Sequence, residues 1–213
     1  MMAQLKAAAQ QQTPSGEISY VGIGTAAEAA ATINLDAGHA NGDLLILTLT
    51  VGSNNIPSMS NDGGWTQIWG VSGQAGPDSG GAMWARFADG TESATVTPDG
   101  TYSGVCLAYR GVGGMPATTF GNDARATRAN VYNYTGALPA FSDGNWLVSG
   151  LGSGASIRDV SAAPAGSTLL LNLFSTATLA VAHQGPVASA PAAALWTVTG
   201  SGRFCCGVAV LKP

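Results

Sequence analysis

The sequence predicts an all-β protein, a jelly-roll-like antiparallel β-sandwich built from two repeated halves and preceded by a short arm. Short runs rich in Val, Ile, Leu, Thr, Tyr and Trp alternate with clusters of Gly, Asn, Asp and Pro, which is typical of strands joined by tight turns. No long segment keeps the 3.6-residue apolar period of an amphipathic helix. Several landmarks also recur 102 positions apart, so the two halves are expected to share one fold.

The first element is an N-terminal arm over residues 1–16. Its first twelve residues are rich in Ala, Gln, Met and Leu, which favour helix, and the Thr-Pro-Ser-Gly cluster at 13–16 ends that tendency. A helix of this length is marginal in water, so the arm is expected to dock on a partner as a helical or extended segment, or to be disordered. Met2, Leu5 and Lys6 are its candidate anchoring residues.

The sandwich is predicted to occupy residues 17–213, with repeat halves at about 17–112 and 138–213. Asn-Gly or Asp-Gly pairs mark turns beginning at residues 41, 62, 89, 99 and 143. The predicted strands of the first half are 18–24, 43–51, 66–71, 82–88, 93–97 and 102–110. Those of the second half are 145–151, 168–174, 177–183, 195–199 and 204–211.

The repeat rests on three groups of matches with one common spacing. Gly-Asp-Leu-Leu at 42–45 recurs as Gly-Asn-Trp-Leu at 144–147, and Gly-Trp-Thr at 64–66 recurs as Gly-Ser-Thr at 166–168. Positions 97, 100, 102 and 110 match positions 199, 202, 204 and 212. Each half could be a separate domain, but two sheets that share one core bury more surface per residue. We therefore expect a single sandwich.

Charge is scarce, and this narrows the classes of function. Only 9% of the 213 residues are charged, and the net charge is −4, so no basic field is available for nucleic acid or an anionic membrane. The longest apolar run is far shorter than a membrane-spanning helix needs. The surface must therefore use uncharged polar residues, or be covered in part by other subunits.

The charges are also unequally divided between the halves. Residues 1–112 hold nine acidic and three basic residues, whereas residues 113–213 hold three acidic and five basic residues. Chance scatter is one explanation, and complementary faces for self-association are another.

The sequence contains no signature of a catalytic, metal or cofactor site. Its two histidines, His39 and His183, lie outside any local motif, and no Gly-x-Ser-x-Gly elbow occurs. Adjacent Cys205 and Cys206 lack the two-residue gap of a zinc knuckle, and with Cys106 they are expected to be small buried residues. We expect a protein without catalytic residues, bound metal or cofactor.

The five tryptophans lie in or beside predicted strands, which favours positions in the core. Trp69 is the one candidate for an exposed ligand platform, because a glycine-rich loop follows it. A ring of this kind could stack on a sugar, which keeps a carbohydrate-binding function open.

Several of these segments also carry a family resemblance. The series GDLLILTLTV, GGWTQI, AMWARFADG and ATVTPDGTYSGVCLAYRGV is followed by a weaker copy, DGNWLVSGLG, APAGSTLL and LWTVTGSGRFCCGVAVLKP. Together they resemble a repeat-containing β-sandwich family of phage and prophage structural proteins, over nearly everything from residue 18 to the end. The resemblance implies a tail-fibre, tail-tip or head-decoration scaffold with no catalytic residues. The chain departs from the pattern at Ser167, where Trp is replaced, and at Cys205-Cys206.

The expected function is therefore that of a non-enzymatic bacteriophage virion structural protein, either a head (capsid) decoration or a tail-associated subunit. It would be made in the host cytoplasm and located in the virion. Its expected partners are itself, as a homo-oligomer and specifically a trimer, and other virion proteins, with no nucleic acid and no membrane insertion. The alternative is a carbohydrate-binding or receptor-binding module for host attachment, whose ligand would be a host surface glycan.

Overall fold

The computed structural model describes residues 16–53, 55–59, 63–72, 79–123, 131–133, 138, 141–153, 159–174, 177–189, 195–199 and 204–213. Within these residues it consists of strands and turns without a helix, so the predicted all-β sandwich is confirmed. The N-terminal arm, with Met2, Leu5 and Lys6, lies outside the described residues.

Sixteen strands run through the described residues. The first eight are β1 Ser19–Ile23, β2 Ala27–Ala30, β3 Ile33–Asn34, β4 Leu44–Val51, β5 Thr66–Ser72, β6 Gly80–Phe87, β7 Thr95–Val96 and β8 Tyr102–Arg110. The other eight are β9 Ala117–Asp123, β10 Val131–Asn133, β11 Asn145–Ser153, β12 Val160–Ala162, β13 Thr168–Phe174, β14 Thr178–Val187, β15 Leu195–Val198 and β16 Phe204–Leu211. Every strand predicted from the sequence has its counterpart among them.

Two large antiparallel sheets form the body of the molecule. Sheet I has the strand order β1-β8-β4-β6-β5, and β2 also pairs with β8. Sheet II has the order β9-β16-β11-β14-β13, which is the same order in strands about 100 positions later. The jelly-roll-like fold thus takes a particular form in which each half of the chain supplies a whole sheet. The second repeat half was predicted to begin at about residue 138. Sheet II also includes β9, which lies before that boundary.

The repeat extends to the hydrogen-bond register of the strands. Leu44 pairs with Tyr109 in sheet I, and Trp146 pairs with Leu211 in sheet II, both 102 positions later. A register shift lies between Gln67 and Trp69 of β5, and the same shift lies between residues 169 and 171 of β13. The two sheets therefore share a β-bulge at equivalent places, a local kink that families retain as part of the fold.

One loop accounts for the main difference in length. The β5–β6 connection spans residues 73–79, whereas the β13–β14 connection spans residues 175–177. This connection is four residues shorter in the second half, so β14 follows β6 by 98 positions rather than 102. In this register Gln184 occupies the position of Arg86, and His183 that of Ala85.

Three apolar cores hold the layers together. The central core lies between the sheets and draws on both, with Leu44, Ile46, Trp69, Met83, Val105, Leu107, Tyr109, Val148, Val181, Cys205 and Ala209 among its buried residues. The outer face of sheet I carries a second core with β3 and β7, and the outer face of sheet II a third with β12 and β15. Because the central core belongs to both sheets, they form one sandwich.

Candidate functional site

Trp69 is the first residue to place, because the sequence offered it as a ligand platform. Its side chain is 3% exposed and belongs to the central core. The ring lies against the glycine notch, which is the directly paired Gly150 and Gly207 of sheet II. A Cβ atom built on Gly207 would lie 2.6 Å from Nε1 of Trp69. The expectation of an exposed platform at Trp69 does not agree with this position, because no ring face is left for a sugar.

A sequence signal for this burial exists on the opposite sheet. Gly150 and Gly207 interrupt apolar strands, and a glycine within a strand often marks the close approach of another group. The prediction that the tryptophans belong to the core is confirmed for Trp65, Trp84 and Trp196, which are 5%, 8% and 0% exposed. Trp146 is partly buried against the central core.

The histidine His183 lies in a cluster of aromatic side chains. Nδ1 of His183 lies 3.2 Å from the phenol oxygen of Tyr109, and its ring meets those of Tyr20 and Trp146 edge-on at 4.7 and 5.2 Å between centroids. Burial lowers the pKa of His183 and raises the pKa values of Tyr20 and Tyr109. Nδ1 of His39 has no hydrogen-bond partner among the described residues. Burial within the aromatic cluster therefore favours the neutral imidazole of His183.

The cysteines are free and buried, as the sequence predicted. Burial raises the pKa of Cys106, and raises that of Cys205 to about 12, so both thiols stay protonated at neutral pH. In the part of the chain that the structure describes, no group of three or more His, Cys, Asp or Glu side chains could hold a metal ion. Over the same residues, no helix has the length and apolar character needed to cross a membrane.

A polar groove opens on the outer side of sheet I, with a cavity volume of about 360 Å³. Arg86 of β6 is one of its lining residues and is 9% exposed. Its guanidinium donates hydrogen bonds to the carbonyl of Gly63, to Oδ1 of Asp89 at 2.8 Å and to Oγ1 of Thr91 at 2.9 Å. The lining residues are Leu35, Gly63, Trp65, Arg86, Thr91, Glu92, Ser93, Thr95, Val96 and Thr97.

The loop beside Arg86 is held by its own acidic side chains. Glu92 accepts hydrogen bonds from the backbone N–H groups of Asp89 and Gly90. Oδ1 of Asp89 accepts the backbone N–H of Thr91 at 2.9 Å and its hydroxyl at 2.6 Å. These bonds, with a smaller contribution from Arg86, lower the pKa of Asp89 to about 2. The loop thus presents hydroxyl and carboxylate groups in a fixed arrangement.

Among the described residues of the second half, two side chains of this groove are replaced. Gln184 stands where Arg86 stands in sheet I, and Ser167 stands where Trp65 stands. The turn itself is retained, because Gly64 and Gly166 both have positive φ angles, of 88° and 80°. Gly64 lies beside the guanidinium of Arg86, and Gly166 lies beside the amide of Gln184.

A second surface lies along one side of the sandwich. We call it the open edge, and it consists of β1 and β13, the border strands of the two sheets on the side where Tyr20 meets His183. Tyr20, Ile23, Leu170, Leu171 and Leu173 contact the central core here but stay only partly buried. Leu169 and Phe174 of β13 are 37% and 46% exposed.

The opposite side, where β5 and β9 meet, is closed by contrast. The hydroxyl of Thr118 on β9 donates a hydrogen bond of 2.8 Å to the carbonyl of Ile68 on β5. This bond links the border strands of the two sheets directly.

The border strands β5 and β13 occupy equivalent places but differ in polarity. β5 reads TQIWGVS, and β13 reads TLLLNLF, so Leu169 stands in the position of Gln67 and Phe174 in that of Ser72. β13 contains no charged residue and no proline, two of the features that protect edge strands, but it does contain the β-bulge between residues 169 and 171. Within the described residues it pairs with β14 alone.

The described residues therefore offer two surfaces with functional potential, a polar groove on sheet I and an apolar open edge beside sheet II. The groove can accept a hydroxyl-rich ligand, and the open edge can accept another β-strand. Comparison with known protein families, curated proteins and solved structures finds no match to this chain.

Proposed function

We propose that the chain is a non-enzymatic structural subunit of a bacteriophage particle, placed on the head as a decoration or on the tail. It is made in the host cytoplasm and assembles on the virion, where it contacts copies of itself and other virion proteins.

The open edge is the observation that carries this proposal. Folded proteins that act alone protect their edge strands with charges, proline or covering loops, because an unpaired edge invites another strand. β13 carries five large apolar residues and neither a charged residue nor a proline among its seven positions, so its β-bulge is the one such feature within the strand. Such a strand suits a subunit that is covered in an assembly, and the 9% charge content of the chain is in keeping with that use.

The positions of the resembling motifs support a scaffold role. The Gly-Asp-Leu-Leu and Gly-Trp-Thr landmarks fall at the turns before β4 and β5, where Gly42 and Gly64 both have a φ of 88°. The Leu-Ala-Tyr-Arg landmark ends β8, the strand that pairs with β4. These motifs thus build the sheet framework, which is what a family of structural proteins would have in common.

Mass spectrometry of purified particles tests this function. We expect the polypeptide in particles produced by the strain that encodes it, at a stoichiometry typical of a repeated structural component. Immunogold electron microscopy with an antibody to the chain then assigns head or tail. Particles that lack the polypeptide entirely would contradict the proposal.

The polar groove favours a second candidate, binding of a host surface glycan for attachment. Four hydroxyl side chains, at residues 91, 93, 95 and 97, line it together with Glu92. A volume of about 360 Å³ lies within the range of small-ligand sites. Side chains of this kind can exchange hydrogen bonds with sugar hydroxyls.

A glycan array probed with the purified chain tests the second candidate. We expect any bound glycan to be lost with Thr95→Val, which removes a lining hydroxyl and keeps the side-chain shape. Thr197→Val is the matched control, because it removes the hydroxyl at the equivalent position of the second half, 102 residues later in β15. Absence of binding to every glycan, or equal binding by both variants, would remove this candidate.

A further inference from the structure

We propose that the polar groove on sheet I binds neutral sugars in preference to sugars that carry a carboxylate. The inference rests on the second candidate function, glycan binding, and names the chemical class of its ligand. It does not depend on whether the chain is part of a virion.

The charges of the groove disfavour an acidic ligand. Arg86 is the one basic residue among those that line it. Nη2 of Arg86 lies 2.8 Å from Oδ1 of Asp89 and 3.5 Å from Oε1 of Glu92. One cation thus faces two carboxylates, so the charge at the groove is net negative over the described residues. A ligand carboxylate placed here meets like charge, which costs binding free energy.

The guanidinium of Arg86 is also unable to clamp a ligand carboxylate. Nη1 donates to the carbonyl of Gly63, and Nη2 donates both to Asp89 and to Oγ1 of Thr91. The two hydrogens of Nη2 are thus taken, and each parallel N–H pair of a guanidinium that could hold a carboxylate includes this nitrogen. Arg86 therefore directs its hydrogen bonds to the protein.

The hydroxyl groups of the lining suit an uncharged ligand. Those of Thr91 and Ser93 are used within the protein, because Thr91 accepts from Arg86 and Ser93 accepts the N–H of Thr95 at 3.5 Å. The hydroxyls of Thr95 and Thr97 also line the groove and make no hydrogen bond to the described residues. A hydroxyl both donates and accepts, so these two groups match the hydroxyls of a sugar.

The apolar part of the lining suits the carbon skeleton of a sugar. Leu35, Trp65 and Val96 lie in the same groove as the hydroxyls. Ligand sites usually combine apolar walls with a few placed polar groups. A neutral sugar has the same mixture, with C–H groups on its ring faces and hydroxyls around its rim.

A glycan array of matched pairs tests the ligand class. Each oligosaccharide that contains sialic or uronic acid is printed beside its carboxyl-reduced form, which keeps the sugar skeleton and loses the charge. We expect the purified chain to bind the reduced member more tightly, by about tenfold or more, because like charges repel at the groove. Binding of the reduced member should not change with ionic strength, since it forms no ion pair.

The preference should also persist in mild acid. Hydrogen bonds from Thr91 lower the pKa of Asp89 to about 2, so this carboxylate keeps its charge well below neutral pH. The same array read at about pH 5 should therefore favour the reduced members again.

Two lysine variants locate the discrimination in the groove. Thr97→Lys adds a cation to the lining and should narrow the preference for the reduced member. Ala162→Lys is the matched control, because it adds the same charge at an exposed position of β12, on the outer side of sheet II. It should leave the preference unchanged.

The inference is overturned by tighter binding of the acidic members, by equal binding of both members, or by no binding to any glycan. It is also overturned if the two lysine variants change the preference alike.

These outcomes separate the inference from the proposed functions. A preference for acidic sugars leaves glycan binding in place and contradicts only the ligand class. Absence of all binding removes the second candidate together with the inference. Neither result bears on the presence of the chain in particles, which mass spectrometry decides.

Discussion

The two halves of the molecule share a framework but differ in their chemistry. Strand order, the register of the central strands and the position of the bulge are the same in both sheets. Asp43, Arg86 and Arg110 of the first half correspond to Asn145, Gln184 and Lys212 of the second. The difference shows that strand pattern and turn glycines produce the fold, whereas the charged contacts are additions made in one half.

The equivalent turns before β4 and β11 illustrate this point. Asp43 and Asn145 are both buried, and the N–H of each closes its turn on the carbonyl three residues earlier, at 3.0 and 3.3 Å. Asp43 also accepts two hydrogen bonds from Arg110, both at 2.9 Å. Nδ2 of Asn145 has no partner among the described residues. The turn therefore forms without the carboxylate, which adds a link to β8.

The central core shows a reciprocal difference in side-chain size. Trp69 of β5 corresponds to Leu171 of β13, while Val105 of β8 corresponds to Gly207 of β16. A large residue on sheet I thus meets a small one on sheet II, and the glycine notch gives the indole its space. The side-chain volume of the central core is therefore balanced between the two sheets and not within each sheet.

The largest expected effect comes from filling the notch. Gly207→Val gives sheet II the residue of sheet I, and overpacking against Trp69 should lower the free energy of unfolding by about 2–3 kcal/mol. Adding Trp69→Leu, which completes the exchange, should recover part of this loss. Urea denaturation followed by far-UV circular dichroism measures both. Gly114→Val is the control, because no atom lies near a Cβ built there. Additive effects of the two changes would contradict the reciprocal fit.

A smaller loss is expected when the first half receives the residue of the second at the β4 turn. Asp43→Asn weakens the hydrogen bonds from Arg110 and from the N–H of Ala40, the latter 2.8 Å long. Because the side chain of Arg110 is 57% exposed and solvent screens the pair, we expect a loss of about 1–2 kcal/mol in urea denaturation. Asp143→Asn changes an exposed turn residue of the second half and should have little effect. Equal losses would argue against a specific role for the buried carboxylate.

The groove loop of the first half contains a carboxyl group, that of Asp89, whose titration can be followed. The hydroxyl of Thr91 is the largest single cause that lowers the pKa of Asp89, so Thr91→Ala, which keeps the backbone bond, should still raise that pKa more than Arg86→Gln. Because the pKa is depressed in the folded state, the associated stability is present above the ordinary carboxyl pKa of about 4 and is lost as pH falls toward about 2. Carboxyl-carbon NMR titration measures the shifts. The reverse order of the two variants would show that the cation dominates.

The smallest effect concerns His183, whose counterpart in sheet I is Ala85. Burial lowers the pKa of His183, so the unfolded chain takes up a proton more readily as pH falls below the ordinary imidazole value of about 6.5. Stability should therefore decline from neutral to mildly acidic pH, and His183→Ala should remove this decline. His39→Gln retains His183 and should keep it. Thermal unfolding of the wild type and both variants at a series of pH values measures this decline. A decline that persists in His183→Ala would contradict the prediction.

The sequence predicted the framework because the framework is local. Alternating apolar residues and turn glycines indicated all the long central strands, and the 102-residue spacing indicated two similar β units. The strands it missed, β2, β3, β9, β10 and β12, are two to seven residues long and mostly consist of small or polar residues. Their pairing depends on partners far along the chain.

The candidate surfaces were harder to predict because they also depend on contacts between residues far apart in the sequence. The burial of Trp69 is decided by Gly150 and Gly207, which approach it from the other sheet. Arg86 reaches the carbonyl of Gly63, 23 residues earlier, so the groove is visible only after folding. The acidic loop at residues 89–92 did give a local turn signal. The open edge is the exception, since five large apolar residues within 168–174 are apparent in the sequence once β13 is known to lie at a border.

The three buried thiols can serve as internal probes of the local opening of each sheet. Cys106, Cys205 and Cys206 are each at most 1% exposed and lie in the central strands β8 and β16. A thiol reagent can reach them only when those strands separate from their neighbours, so labelling rates report how often each sheet opens. Cys106 reports on sheet I, and Cys205 with Cys206 on sheet II. Comparing the labelling rates in the native chain can thus show whether the two sheets open together or independently.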